Sequence, residues 1–117
     1  MVYNMVMGGT QQTTRDTLSL EFRRGALVLA VLVALRDEAY GYSLKRLLAD
    51  KGLEIDEGTL YPLLRRLESQ GLLKSNWRVE DGRPRRYYQI NGHGGKLAKD
   101  LALEWRKLAG VMDRLID

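Results

Sequence analysis

The sequence predicts a mainly α-helical fold that carries one small β-hairpin. Two observations lead to this prediction. Apolar residues recur at helical spacing in four stretches, and one short region alternates apolar and polar residues around an Asp-Gly pair. The 117 residues suffice for one compact domain. Within it we distinguish an N-terminal arm at 1–16, a unit of helices and hairpin at 17–91, and a C-terminal helix at 92–117.

The first helix is predicted from Leu18 to Arg36. Its segment Ala26–Leu35 is apolar on every side but shorter than the roughly 18 to 20 residues of a membrane span, so it predicts a buried helix. Residues 1–16 show no helical or strand periodicity, and we expect a flexible arm there. The arm resembles no secretory signal, so we expect a cytoplasmic protein without membrane contact.

The second helix is predicted between Tyr42 and Lys51. Its apolar face consists of Leu44, Leu47 and Leu48, which are spaced three and one residues apart. Gly52 follows directly and suits the left-handed conformation that often ends a helix. A short amphipathic helix of this kind packs one face on a core and leaves the other in solvent.

The third helix is predicted from Asp56, a good N-cap, to Gln70. Four residues at helical spacing form its apolar face: Leu60, Leu63, Leu64 and Leu67. Pro62 lies inside this segment and cannot donate a backbone hydrogen bond. The helix should therefore either start near Thr59 or kink in its first turn.

The hairpin is predicted from strands at Leu73–Val79 and Arg85–Ile90, joined by a loop at 80–84 that contains the Asp-Gly pair. We expect Trp77 to fill the space between hairpin and core. After Asn91, an N-cap, a last helix carries an apolar seam over five turns: Leu97, Leu101, Trp105, Leu108, Met112 and Leu115. The rest of the chain is too small to cover this seam, which predicts a homodimer.

Three helices, a hairpin and a long helix are the arrangement of a winged helix-turn-helix, whose third helix reads the major groove of DNA. The net charge is +4, and the segment 74–86 holds five basic against two acidic residues. The third helix presents Thr59, Tyr61 and Arg65 for base edges or phosphates, with Arg66 turned to the DNA backbone. The alternative is an ordinary surface helix whose charges balance.

The hairpin sequence Gly82-Arg83-Pro84-Arg85-Arg86 sets three arginines around a stiff proline, which suits a phosphate track or a minor groove. The alternative is an edge hairpin that its charges protect from aggregation. Taken together with the third helix, the hairpin favours duplex DNA as the partner.

Several motifs in order resemble the PadR-like family of transcriptional regulators: Tyr40-Gly41-Tyr42, the segment 57–68 (EGTLYPLLRRLE) and the segment 82–88 (GRPRRYY). The resemblance covers about 22–117. It implies a repressor that binds an inverted-repeat operator as a homodimer, through the second and third helices and the wing. The expected DNA contacts are Tyr42, Ser43, Thr59, Tyr61, Pro62, Arg65, Arg66, Arg83, Arg85 and Arg86.

The resemblance also implies an interface built from the last helix and supported by Phe22 of the first. Some members of the family bind drugs or phenolic compounds beside an aromatic residue of the last helix, so Trp105 marks a possible site for a small aromatic effector. Simple packing of a large side chain is the alternative for Trp105. The chain departs from the family at Asn91–Gly95, where extra glycines leave the start of the helix uncertain.

An enzyme is not predicted, because the chain has one histidine, no cysteine and no carboxylate pair at a recognisable catalytic spacing. His93 alone cannot form a metal site, which needs three or four converging donors. We expect neither a metal nor a cofactor. The competing prediction is a winged-helix adaptor that binds an acidic protein and has weak or no affinity for DNA.

Overall fold

The computed structural model describes residues 2–117, with side chains from Thr10 onward. Helix α1 spans Val2–Ala34, and the short strand β1 spans Ala39–Tyr40. Helices α2 and α3 follow at Gly41–Asp50 and Glu57–Ser69. Strands β2 and β3 lie at Leu73–Glu80 and Arg83–Ile90, and helix α4 spans Gly92–Ile116. The predicted fold class, a mainly helical winged helix-turn-helix, is confirmed.

The core lies where α1, α2, α3 and the base of the hairpin meet. Its fully buried side chains come from the three helices and from Leu35, which directly follows α1: Val31, Leu32, Leu35, Leu44, Leu60, Leu64 and Leu67. Tyr88 of β3 and Ala98 of α4 complete it. The apolar faces predicted for α2 and α3 therefore do face inward, except that Leu47 is exposed.

The sheet has three antiparallel strands in the order β1-β3-β2. Sequence reasoning found only two, because β1 pairs just two residues with β3, Ala39 with Tyr88 and Tyr40 with Tyr87, and two residues cannot display an alternation. Asp81 and Gly82 form a two-residue turn with positive φ of 51° and 75°. The predicted loop at 80–84 is thus wrong, since its outer residues belong to the strands.

The arm predicted at 1–16 is also wrong for 2–16, which continue α1; Met1 lies outside the described residues. Adding residues to an existing helix costs far less than starting one, so a sequence without its own period can still extend α1. Gln12 Nε2 donates to Asp16 Oδ1 at 3.2 Å, one turn along this extension. Within 2–117, none of the helices has the length and hydropathy of a membrane span.

Pro62 lies in the second turn of α3, because the helix begins at Glu57 rather than near Thr59. Asn91 caps α4 as predicted, with its Oδ1 accepting from the backbone N of Gly94 at 2.9 Å. Helix α4 already starts at Gly92, so the glycine run does not delay it. Trp77 is 65% exposed, and the prediction that it fills space between hairpin and core is wrong.

Candidate nucleic-acid interface

Helix α3 turns one side to the core and the other to solvent. Pro62, Arg65 and Arg66 are exposed on its outer side. The helix is fixed at its start by Asp56, whose Oδ1 accepts from the backbone N of Thr59 at 2.8 Å. Over the part of the chain that the structure describes, neither guanidinium group forms an ion pair or a hydrogen bond. Both guanidinium groups are therefore available to an external anion.

The start of α2 lies beside α3. Tyr42 is exposed, whereas the Ser43 hydroxyl donates to the Tyr40 carbonyl at 2.9 Å and accepts from the Tyr40 N–H at 3.2 Å. A Cβ on Gly41 would lie 2.2 Å from Cε1 of Tyr61. Glycine at this position thus allows the Tyr61 ring to cover the start of α2. The Ser43 hydroxyl serves as a local cap.

One face of the hairpin carries a chain of stacked rings and cations. The Arg78 guanidinium lies 4.3 Å from the centre of the Tyr87 ring, and Arg85 lies 4.6 Å from that of Tyr40. Arg85 also forms an ion pair with Glu80 at 3.4 Å, and the Tyr87 hydroxyl donates to Glu80 at 2.5 Å. Arg78 pairs with Glu38. Both arginines are therefore partly neutralised within the chain.

The other face of the hairpin looks toward α3 and carries Arg86, which is paired with Glu68. Arg83, next to the turn, is exposed, and its side chain has neither an ion pair nor a hydrogen bond among residues 2–117. Of the three arginines predicted at the tip, only Arg83 thus has an unengaged guanidinium. The reason is strand alternation, because Arg85 and Arg86 point to opposite faces and each meets a carboxylate.

Two open grooves flank α3. The groove on the hairpin side has a volume of about 370 Å³ and is lined by aromatic and cationic residues, among them Tyr42, Tyr61, Arg65, Trp77 and Arg86. The groove on the α1 side has a volume of about 300 Å³. Its walls are Leu20, Arg24 and Leu27 from α1 and Gly58, Thr59, Pro62, Leu63 and Arg66 from α3. The outer surface of α3 is thus a ridge between two concave strips.

Three tyrosines of this surface have a raised pKa and are therefore neutral at physiological pH. Burial, followed by the charge of Glu57, raises the pKa of Tyr61 above its ordinary value of 10.0. Burial likewise raises the pKa of Tyr88, and the hydrogen bond to Glu80 is the main cause of the raised pKa of Tyr87. The Tyr61 hydroxyl can therefore donate a hydrogen bond to a phosphate or a base acceptor.

The structure places eight of the ten predicted DNA contacts in the two grooves beside α3, whereas Ser43 and Arg83 line neither groove. Tyr42, Tyr61, Arg65, Arg85 and Arg86 line the hairpin-side groove, and Thr59, Pro62 and Arg66 line the other. Sequence reasoning missed Tyr40, Trp77 and Tyr88 in the first groove and Arg24 in the second. Arg85 and Arg86 are neighbours in a predicted strand, and this alone indicates that their side chains point to opposite faces. No local pattern points to Arg24, which joins the site only through the packing of α1.

The predicted dimer residues divide into two groups. Leu97 and Leu101 are partly buried against the core of their own subunit. Exposed side chains follow further along α4: Trp105, Leu108, Met112 and Leu115. Phe22 of α1 is 84% exposed. Trp105 lies in neither of the two grooves. Over residues 2–117 no three acidic or histidine side chains converge as metal ligands would.

Comparison with known proteins matches residues 28–100 to the family model described as the transcriptional regulator PadR-like family. A transcriptional regulator of Mycobacterium tuberculosis is 45% identical over 75 residues, which are 63% of this chain and 70% of that protein. The crystal structure of a PadR family transcriptional regulator from Eggerthella lenta superposes with a TM-score of 0.81 and 42% identity, over 92% of this chain and 96% of that one.

A PadR-like transcription factor from Bacteroides fragilis is similar as well. Its X-ray structure superposes with a TM-score of 0.72 and 31% identity, over 86% of this chain and 99% of that one. The similarity in both cases extends over nearly the whole of the known structure.

Proposed function

This chain belongs to the PadR-like family of transcriptional regulators, and from that premise we propose that it binds duplex DNA as a homodimer and represses transcription from an inverted-repeat operator. One observation carries the proposal. Among residues 2–117, the guanidinium groups of Arg65, Arg66 and Arg83 have no ion-pair or hydrogen-bond partner. The first two lie on the exposed outer side of α3, and the third lies next to the turn of the hairpin. Cations left unpaired at such a position suit the phosphates on either side of a major groove.

We assign the parts of the surface as follows. The outer side of α3 enters the major groove, where Tyr61, Pro62 and Arg65 meet base edges and Thr59 and Arg66 meet the adjoining backbone. Tyr42 at the start of α2 meets a second phosphate, and Ser43 supports it by capping the helix. Arg83 at the tip of the hairpin reaches the neighbouring phosphates or minor groove. Repression follows from occupying the operator, and the protein acts in the cytoplasm.

Dimerisation rests on the exposed apolar stripe of α4 from Trp105 to Leu115. An equivalent stripe on a second copy covers it symmetrically, and Phe22 adds apolar surface from α1. In such a dimer the two copies of α3 contact successive major grooves about 34 Å apart, which requires an inverted repeat. Trp105 lies in this stripe, so a small aromatic effector bound between the subunits would act directly on their spacing.

A salt titration tests DNA binding. We would measure the affinity for a fluorescent duplex of mixed sequence at several salt concentrations, with the native protein and with Arg65, Arg66 and Arg83 replaced together by alanine. Genuine phosphate contacts give a log-log slope of about 0.9 per neutralised phosphate, and the substitutions remove two or three contacts from each subunit of the dimer. The slope should therefore be steep, and the variant should lose about 4 to 5 units of it. A flat slope in both proteins would instead support the adaptor that binds an acidic protein.

A further inference from the structure

Three elements of the DNA-facing surface meet at one cluster of side chains. Glu68 lies in the last turns of α3, Ser75 in β2 and Arg86 in β3. The Ser75 hydroxyl donates to Glu68 Oε2 at 2.5 Å, and Arg86 Nη2 donates to Glu68 Oε1 at 2.6 Å. Arg86 Nε also donates to the Ser75 hydroxyl oxygen at 3.1 Å. Both oxygens of the carboxylate and two nitrogens of the guanidinium are therefore engaged in a closed ring.

This cluster lies at the point where the hairpin leaves the body of the protein. Tyr88, the partner of Ser75 across the strands, is buried in the core. Beyond it, residues 76–79 and 83–84 are exposed. The Arg86 guanidinium also lies 5.4 Å from the ring centre of Tyr88 and 5.7 Å from that of Trp77. The cluster thus joins the outer half of the hairpin to α3.

Releasing Arg86 toward DNA would be unfavourable. The side chains of Arg86 and Glu68 are only 34% and 27% exposed, so a separated Glu68 would keep a partly desolvated charge. That carboxylate would also face the approaching phosphates and repel them. A free guanidinium such as that of Arg83 can bind phosphate without losing an internal partner.

Resting on the DNA-binding function above, we propose that Glu68, Ser75 and Arg86 position the wing, and that Arg86 acts on DNA affinity through the angle of the hairpin rather than by contacting phosphate. The cluster holds β2 and β3 at a fixed angle to α3. Arg83 is thereby placed to reach the DNA backbone while α3 occupies the major groove. Glu68, an acidic residue on a DNA-binding surface, is accordingly required for tight binding.

Two charge-matched variants of α3 test the proposal in opposite directions. Glu68→Gln and Glu57→Gln each remove one negative charge from the same helix, and Glu57 has only a loose contact with Lys45 at 3.8 Å. Charge alone predicts equal or tighter binding to a fluorescent duplex of mixed sequence for both. We expect that result for Glu57→Gln, and about five- to tenfold weaker binding for Glu68→Gln.

Lysine variants separate positioning from phosphate binding. Lysine keeps the charge, but it lacks the second nitrogen with which Arg86 contacts Ser75 and Glu68 together. Arg86→Lys should weaken binding as much as Arg86→Ala does. Arg83→Lys should stay within about threefold of the native protein, since phosphate accepts a point charge. Native-like binding by Arg86→Lys or by Glu68→Gln would overturn the positioning role.

A measurement without DNA distinguishes failure of this inference from failure of the proposed function. The chain has no cysteine, so spin labels can be attached at Gln70→Cys and Val79→Cys and diluted with unlabelled chain. The distance between the labels should broaden or shift in Glu68→Gln and stay unchanged in Glu57→Gln. An unchanged distance in Glu68→Gln would overturn the inference. If the native protein binds no duplex at low salt, DNA binding is refuted and the label distances alone decide the role of the cluster.

Discussion

Gly94 is the residue at which α4 approaches the rest of the subunit most closely. A Cβ there would lie 2.2 Å from the carbonyl oxygen of Leu72, a backbone atom that cannot move aside alone. The same turn is held by Asn91, whose Nδ2 donates to the Gly71 carbonyl at 2.7 Å. Only a glycine allows the start of α4 to pack over the connection between α3 and β2.

We therefore predict that Gly94→Ala lowers the free energy of unfolding by about 1 to 3 kcal/mol, as overpacking typically does. Gly95→Ala is the matched control. Its Cβ would lie 3.7 Å from Ile90 Cδ1, an ordinary contact, and alanine should raise the free energy of unfolding by up to about 1 kcal/mol. Urea unfolding of the two variants measures both changes. Equal effects of the same sign would contradict the steric argument.

Asp56 is expected to make stability depend on pH in the acid range. Hydrogen bonds from the side chain and then the backbone of Thr59 hold the pKa of Asp56 below its ordinary value of 3.8. A carboxylate with a lowered pKa in the folded state stabilises the fold above its unfolded pKa and loses that contribution as the pH falls through its folded pKa. Asp56→Asn keeps a cap acceptor that does not titrate.

As the pH falls from 5 toward 2, the free energy of unfolding of the native protein should thus decrease relative to that of Asp56→Asn. Chemical denaturation across this range measures it. A difference that stays constant with pH would mean that the cap does not depend on the charge of Asp56.

At the level of elements, two arginines on the same face of the wing differ in their internal partners. Arg83 is unpaired in the described structure, whereas Arg85 is paired with Glu80. We predict that Arg83→Ala lowers the slope of log affinity against log salt by about 1.8, the loss of one phosphate contact in each subunit of the dimer. Arg85→Ala should change the slope by clearly less, because its charge is already balanced. Equal slope changes in the two variants, measured by fluorescence anisotropy, would contradict this assignment.

The elements that the sequence predicts well are those whose signal is local and repeated. Helices α2, α3 and α4 have apolar periods, and Asp56 and Asn91 cap the last two. Their boundaries lie within two residues of the prediction, except for the alternative start of α3 near Thr59 that Pro62 had suggested. The loop was predicted too long, at 80–84, whereas Pro84 belongs to β3. In a two-residue hairpin, Val79 and Pro84 form a pair without hydrogen bonds, so the missing N–H costs nothing.

The sequence predicted which elements form the candidate site, but it did not predict which of their arginines form ion pairs within the chain. Residue types and the charge of segment 74–86 identified α3 and the wing. Which arginines are free depends on contacts between Glu68 and Arg86 and between Glu80 and Arg85, and the first of these pairs is 18 residues apart in sequence. Nothing in a local pattern encodes a partner at that separation. The extension of α1 was missed for the same reason, since it depends on a helix that starts further along the chain.

At the level of the whole molecule, α4 is divided between two tasks. Its first half, with Ala98 buried and Leu97 and Leu101 partly buried, completes the core of its own subunit. Its second half carries the exposed stripe from Trp105 to Leu115. A charge at Leu101 would therefore damage the subunit as well as any dimer. Leu108, which is 52% exposed, is the position that tests dimerisation alone.

We predict that Leu108→Asp converts the dimer to a folded monomer, because association would bury a carboxylate without a partner at a cost of about 3 kcal/mol or more, which raises the dimer Kd at least about 100-fold. Leu103→Asp is the control. Leu103 is 66% exposed on the opposite side of α4, and its variant should remain dimeric. Sedimentation equilibrium gives the masses, and circular dichroism shows whether each variant is folded. A dimeric Leu108→Asp would exclude this stripe as the interface.

Loss of DNA affinity in the monomer, with the salt slope reduced to about half, would further show that both copies of α3 contact one duplex.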